Sequence, residues 1–439
     1  MDSLHHPSYA FAARAFASGG QGEVHLATGI DGRAYAVKVA WPDGASCELV
    51  RREAGLLRLL ANHGVTGLVE AVDFVHVDGR PALVMPRYAG DLAQWLAHAR
   101  SQPGPQTLGA VIGSIATLAR TLGAFHRARP PEFGGTRIVH RDIKPENILI
   151  DRDGRPLIGD LGSAIAVEGL RPIDMEPSGA KAWAPLDQML PGRVQAGPTW
   201  DTFALCAILF AAVTGERAAF HNDPSALLTA KGRHVWEAMV RWQGSAREER
   251  AFLRQRFIRE RQGTVAQDLI VGHVPALSEL DRQRLSAATS YLASIAGVPA
   301  SGRSSLARGL WAVCTRGLSP VANPSPPNRY AQADDLADAL DDLLRVLNER
   351  STPVPRMRTD DGLPRFVEPV PVEVQLDDDA DVELDPDEIP SLQTPLAPMF
   401  AALVLAIALA AGGLVALFGV PSAEQIDGWM AAGLLTLQP

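Results

Sequence analysis

The chain is poor in cysteine: three in 439 residues, Cys47, Cys206 and Cys314, far apart and with no CxxC pair. That excludes a disulfide framework and argues against a zinc site built from paired thiolates. A reducing compartment suits the main domain. Excess positive charge is missing too. The formal charge is −9, and this mild acidity gives no indication of nucleic-acid binding. The opening MDSLHHPSYAFAARAF contains no apolar core of signal-peptide length. No internal repeat is visible. Apolar residues are not scarce: they make up 46% of the chain, ample for a buried core, and the length implies more than one domain.

One long hydrophobic run is present, MFAALVLAIALAAGGLVALFGV at 399–420, without a single charge and bracketed by Pro398 and Pro421. A helix crossing a bilayer core needs about 20 apolar residues, and this run is apolar on every face. We expect a transmembrane helix at 396–420, followed by a short tail at 421–439. Ahead of it, 351–395 is rich in Pro, Asp and Glu without helical periodicity, as in an extended acidic linker.

The first 350 residues are organised differently. GEVHLATGIDGRAYAVKVAW alternates apolar and polar residues about Asp31-Gly32, and LVEAVDFVHVDGRPALVMPRY does so about Asp78-Gly79, so both read as strand pairs. CELVRREAGLLRLLANHG, 47–64, carries Leu49, Glu53, Leu56, Leu57 and Leu60 at helical spacing and ends at Gly64. After Tyr88 helices dominate. The segment 108–128 is amphipathic. WDTFALCAILFAAVTG, 200–215, is nearly all apolar, as expected of a helix buried at the centre of a domain.

Chemistry concentrates in IVHRDIKPENILIDRDGRPLIGDLGSA, 138–164, which holds Asp142, Lys144, Asn147 and Asp160. Carboxylates and an amide oxygen suit a hard cation such as Mg²⁺, and a nearby lysine suits phosphate. ASGGQGEV, 17–24, is a glycine-rich turn through which backbone N–H groups can approach phosphates. Lys38 lies inside the apolar strand YAVKVA, where a charge is costly without an anion. Glu53 on the following helix is its candidate partner.

Taken in order, GGQGEV, YAVKVA, RREAGLL, VHRDIKPEN, GDLG, WAPLD and WDTFALCAILF resemble the eukaryotic-type (Hanks-type) bacterial serine/threonine protein kinases over about residues 11–350. The resemblance implies an α+β, bilobal protein-kinase fold. The N-lobe would span 1–86. A helical C-lobe would span 87–350, enlarged by a helical insert at about 217–312. It implies ATP and Mg²⁺ as cofactors and protein hydroxyls as acceptors. Asp142 resembles the residue that orients the acceptor hydroxyl, and Lys144 the lysine that accompanies serine/threonine specificity. Asn147 and Asp160 resemble the Mg²⁺ ligands. Lys38, held by Glu53, resembles the cation on the α/β-phosphates. Gly19 and Gly22 would let the turn close over the triphosphate, with Ala17 in place of its first glycine. Val24 and Ala36 would sandwich the adenine beside Met85, and the backbone N–H of Tyr88 would bind its edge.

The chain departs from the family pattern in several places. DLG stands for D-F-G, with Leu161 in the apolar position. Ala180 stands where the family has a threonine. Leu186 falls where a glutamate normally pairs with a late arginine, which Arg329 resembles; Asp187 is the candidate substitute. The activation segment offers Ser163 and Ser178, while Asp174 and Glu176 supply carboxylates for Arg141. Three readings follow: a membrane-anchored kinase with a cytoplasmic catalytic domain, an ATP-binding pseudokinase scaffold, and a small-molecule kinase of the aminoglycoside type. Arg141, Lys144 and WAPLD speak against the last.

Overall fold

A computed structural model describes residues 4–167, 173–175, 182–190, 192–194, 196–244, 266–271, 275–320 and 329–348. The linker, the apolar run at 399–420, the tail, and Glu176, Ser178 and Ala180 lie outside the described residues.

The N-terminal part is an antiparallel sheet. Strands β1 (Tyr9–Phe11), β2 (Ala17–Ser18), β3 (Gly22–Gly29), β4 (Ala34–Ala40), β5 (Asp73–Val77) and β6 (Arg80–Pro86) run β1-β3-β4-β6-β5, with β2 also paired to β3. Register follows from the turns. β5 and β6 are joined by Asp78-Gly79 alone, and both residues have positive φ, 48° and 76°. Such a turn matches the twist of its strands. The β3–β4 pairing sets Val24 opposite Lys38, and β6 sets Leu83 opposite Lys38 on the other side.

Helix α1 (Gly44–Asn62) starts at Asp43, whose carboxylate accepts the Ser46 N–H at 2.9 Å. Beyond its end, Gly64 takes a positive φ of 75°. Val50, Glu53, Ala54, Leu57 and Leu60 share its buried face. A glutamate on an apolar stripe forces the question of its partner, which the cleft answers.

Below the sheet the chain is helical: α2 (Leu92–Ser101), α3 (Thr107–Arg127), α4 (Leu186–Met189), α5 (Pro198–Thr214), α6 (Ala219–Asn222), α7 (Ala230–Gly244), α8 (Glu279–Ile295), α9 (Ala300–Gly317) and α10 (Ala333–Asn348). Helix α5 is buried on all sides and stops at Gly215, whose φ is 80°, which is the central position its composition implied. Helices α3, α8, α9 and α10 pack around it. Helix α8 and most of α9, which fall in the stretch expected as an insert, bury Leu285, Leu292, Leu306 and Leu310 in the same core. Among the described residues only α3 is long and apolar enough to cross a membrane. Its apolar face instead packs in the core, and Arg120 and Arg127 on its outer face pair with Asp338 and Asp334 of α10. Short strands β7 (Gly90–Asp91), β8 (Arg137–Val139), β9 (Ile148–Ile150), β10 (Pro156–Ile158) and β11 (Ile165–Val167) carry the loops beneath the sheet, paired β7-β9-β10 and β8-β11.

Candidate active site

The cleft has an apolar upper part and a charged lower part. Ala17 and Val24 from β2 and β3, Ala36 from β4, Met85 from β6 and Leu149 from β9 line one pocket. Phe16 and Leu26 extend its apolar wall, and Tyr88, Asp91 and Glu146 stand at its rim. The four residues named from the sequence for the adenine, Val24, Ala36, Met85 and Tyr88, therefore share one cavity with Ala17, named for the glycine-rich turn. The Tyr88 hydroxyl accepts the Glu70 N–H at 3.0 Å, which anchors the ring. Asp91 caps α2 through the Gln94 N–H at 2.8 Å, and burial raises its carboxyl above the ordinary value.

Lys38 has the partner its apolar strand demanded. Its Nζ donates to Glu53 Oε2 at 2.7 Å and to Asp160 Oδ1 at 3.0 Å. Burial disfavours the ammonium, but the two carboxylates outweigh it and hold the lysine pKa above its usual range. The same pairing, against the pull of burial, lowers Asp160. A third acceptor, Gln21 Oε1 at 2.9 Å, comes from the glycine-rich turn. The sequence reading missed Gln21, and a polar residue at the tip of such a turn was its only signal.

The lower wall is the loop 140–147. Lys144 Nζ donates to Asp142 Oδ2 at 2.9 Å. Asn147 Nδ2 donates to the same oxygen at 3.0 Å and to the Asp142 carbonyl at 2.8 Å. Both amide protons of Asn147 are thus committed, which turns its oxygen away from Asp142. The Gly159 N–H donates to the Asn147 carbonyl at 2.9 Å and so brings Asp160 alongside. Among the described residues no group of three or more His, Cys, Asp or Glu could hold a metal ion. An amide oxygen and one carboxylate are a donor set that suits Mg²⁺ shared with phosphate oxygens, since this ion usually takes one or two carboxylates plus substrate phosphates. The residues fit the ion on those terms.

Two residues here hold strained backbone, Arg141 at φ 73° and Asp160 at φ 56°, each a cost of about 1–3 kcal/mol for a non-glycine residue. Buried Asp201 supports the first. Its carboxylate accepts the N–H of Arg141 and of His140, both at 2.9 Å, and meets His126 Nε2 at 2.8 Å. Burial opposes its ionisation, yet these bonds hold its pKa below the ordinary value. Gln188 Nε2 fixes the Arg141 carbonyl at 2.6 Å. The Arg141 guanidinium lies beside Arg52, and burial first, then that repulsion, lowers its pKa to about 10. Asp201 was missed from the sequence. A lone carboxylate in WDTFALCAILF was its signal, because a buried charge needs several donors.

Leu161 is fully buried in the main core, and Arg52 of α1 donates to the Ala164 carbonyl. Both contacts tie α1, and with it Glu53, to the turn after Asp160. Gly19 has open space around it, whereas a Cβ on Gly22 would stand 2.1 Å from the Val39 carbonyl oxygen. Gly22 therefore serves the close approach of β3 to β4, in addition to any role in loop closure. Asp187, not Leu186, meets the late arginine: Arg329 Nη1 lies 3.1 Å from Asp187 Oδ1. Leu186 is buried in the main core.

This architecture, a curled sheet with one helix over a helical lobe and a charged loop between them, defines a bilobal kinase fold. Residues 13–281 match the family described as "Protein kinase domain", and the chain belongs to that family. Over 210 residues it is 31% identical to "Serine/threonine-protein kinase AfsK" of Streptomyces griseus, covering 47% of this chain and 24% of that one. Over 188 residues it is 34% identical to "Serine/threonine-protein kinase PknK" of Mycobacterium tuberculosis, covering 42% and 16%. "Serine/threonine-protein kinase US3 homolog" of varicella-zoster virus is 29% identical over 175 residues, 39% of each chain. The matched part thus spans less than half the length of each of these relatives.

Proposed function

We propose that the chain is a serine/threonine protein kinase that transfers the γ-phosphoryl group of ATP to a protein hydroxyl. The observation that carries this reading is the assembled cleft: Lys38 bonded to Glu53 and Asp160 on one wall, Asp142 bonded to Lys144 and Asn147 on the other. Phosphoryl transfer asks for positioning and charge neutralisation more than for covalent help. Lys38 places a cation on the phosphates, and Glu53 keeps it in line. Asp142 has one oxygen committed to Lys144 and Asn147, which leaves the other to accept the acceptor's hydroxyl hydrogen and aim its oxygen. As the bond from that oxygen to phosphorus forms and the bond to the leaving ADP breaks, the proton passes toward Asp142, and Lys144 balances charge gathering on the transferred group. Asn147 and Asp160 would hold Mg²⁺, which when bound neutralises phosphate charge. Ala17, Val24, Ala36 and Met85 would enclose the adenine, the Tyr88 N–H would bind its edge, and Gly19 and Gly22 would cover the phosphates.

Serine/threonine specificity is supported by Lys144 two residues after Asp142 and by the names of the relatives above. The full charged set speaks against the pseudokinase reading. Radiolabelled ATP supplied with protein and with small-molecule acceptors tests the proposal. Label on serine or threonine of protein is expected, and transfer to small molecules alone would overturn it.

We further propose that the kinase domain is cytoplasmic and is held at the cell membrane by a single span near 399–420, through the acidic linker at 351–395. The support is composition: a run of bilayer length without charge. Recovery of the intact chain in the soluble fraction would refute the anchor without touching the kinase reading.

A further inference from the structure

Lys38 has three N–H bonds, and all three are in use: 2.7 Å to Glu53 Oε2, 2.9 Å to Gln21 Oε1 and 3.0 Å to Asp160 Oδ1. An ammonium offers three donors, so an incoming phosphate has to displace one of these acceptors. Two are carboxylates. The third is a neutral amide, which bonds the ammonium without the ion-pair attraction that each carboxylate adds. Gln21 is therefore the partner that yields.

Gln21 is seated there by its surroundings. Trp41, just past β4, donates its indole N–H to the Gly19 carbonyl at 2.8 Å and its backbone N–H to the Gln21 carbonyl at 3.2 Å. The Gly19 N–H closes the turn onto the Gly22 carbonyl at 2.9 Å. The Gln21 amide lies against Gly162, where an added Cβ would come within 2.8 Å of it. A strand end, the glycine-rich turn and the turn after Asp160 thus form a seat for one side chain, and that seat lies against the phosphate-binding cation.

We infer that Gln21 is a built-in competitor of nucleotide phosphates for Lys38, latched in place by Trp41, and that this contact sets the affinity for ATP. The inference rests on the reading of the cleft as an ATP site. Binding exchanges the Gln21–Lys38 bond for a phosphate–Lys38 bond and lifts the side chain from its seat. Ligands without phosphate fill the apolar pocket and leave the seat alone.

Calorimetric titration of the full chain with Mg²⁺–ADP and, separately, with adenosine tests this. Gln21→Ala is expected to bind ADP about ten- to hundredfold more tightly than the unaltered protein, the range one hydrogen bond to a charged group supplies. Trp41→Phe, which removes the indole N–H and part of the ring, shifts ADP binding the same way by less. Gln21→Glu puts a carboxylate in the seat and weakens ADP binding. Adenosine affinity stays the same throughout. Unchanged or weaker ADP binding by Gln21→Ala would overturn the inference, as would an equal gain for adenosine. If neither ligand bound any of the four proteins, the nucleotide-site reading itself would fall, and this inference with it.

Discussion

Lys38–Glu53 and Arg329–Asp187 are both buried cation–carboxylate pairs, yet they are built for different ends. Around Arg329 nothing is exchangeable. Its side chain and that of Asp187 are 0% exposed. Its Nε donates to the Ser319 carbonyl at 2.6 Å, its Nη2 to the Pro320 carbonyl at 2.8 Å, and its face lies over Phe203. Trp200 Nε1 adds a bond to Asp187 at 3.3 Å. The cleft pair is assembled from β4, α1 and the turn after Asp160. Asp160 stays 25% exposed, and one of the lysine's three acceptors is a neutral amide. A pair that only holds the fold together gains by committing every donor to groups that stay put. A pair that must also receive a ligand has to retain a partner it can release.

The widest separation between the two regions is expected from Asp142→Asn. Transfer should fall about a hundred- to ten-thousandfold, the range for a positioned acid–base group, while ADP affinity and the urea midpoint stay near those of the unaltered protein. Autophosphorylation at the original rate would remove Asp142 from its role.

Arg329→Met reverses the pattern. It strands a fully buried carboxylate, and breaking such a pair costs about 3–5 kcal/mol. Urea denaturation should show that loss, and the double variant Arg329→Met/Asp187→Leu should recover much of it. Lys38→Met should lose less stability than Arg329→Met but nearly all transfer activity. Equal stability losses would erase the distinction drawn here.

Acid sharpens the comparison further. Asp160 and Asp201 titrate below the ordinary 3.8. A carboxyl depressed on folding contributes stability that is complete above its unfolded value and disappears as pH falls through the folded one. Stability from these two groups should therefore be flat from about pH 7 to 5 and drop below about pH 4. Asp201→Asn should flatten part of that acid slope in urea midpoints measured against pH.

The smallest effect belongs to the turn. Gly19→Ala meets open space and should change stability by no more than about 0.5 kcal/mol. Gly22→Ala drives a Cβ into the Val39 carbonyl and should cost distinctly more. Equal midpoints for the two would contradict the close β3–β4 approach.

Much of this molecule was legible before its shape was known, because local rules governed it. Asp78-Gly79 specified a tight hairpin, the leucine spacing of 47–64 a helix, and the nearly all-apolar 200–215 a buried one. The pocket residues Ala17, Val24, Ala36, Met85 and Tyr88 were legible because a glycine-rich turn, a strand lysine and a late strand occur in a recognisable order. The Lys38–Glu53 pair was legible from cost alone, since a lysine in an apolar strand needs an anion. Other features had no local signature. Gln21 reads as an ordinary turn residue until β4 and the turn after Asp160 close around it. Asp201 lies 60 residues from the Arg141 N–H that it fixes. Whether Leu186 or Asp187 met Arg329, 142 residues beyond Asp187, depended on how α4 was turned against α5.

By itself the sequence determined the strand pairs, the helices and the identity of the charged groups, because hydrophobic period, turn chemistry and the cost of a buried charge act between residues near one another in the chain. Only the tertiary structure decided which acceptor completes each cation, since a hydrogen bond depends on tenths of an ångström between groups that the chain brings together from far apart.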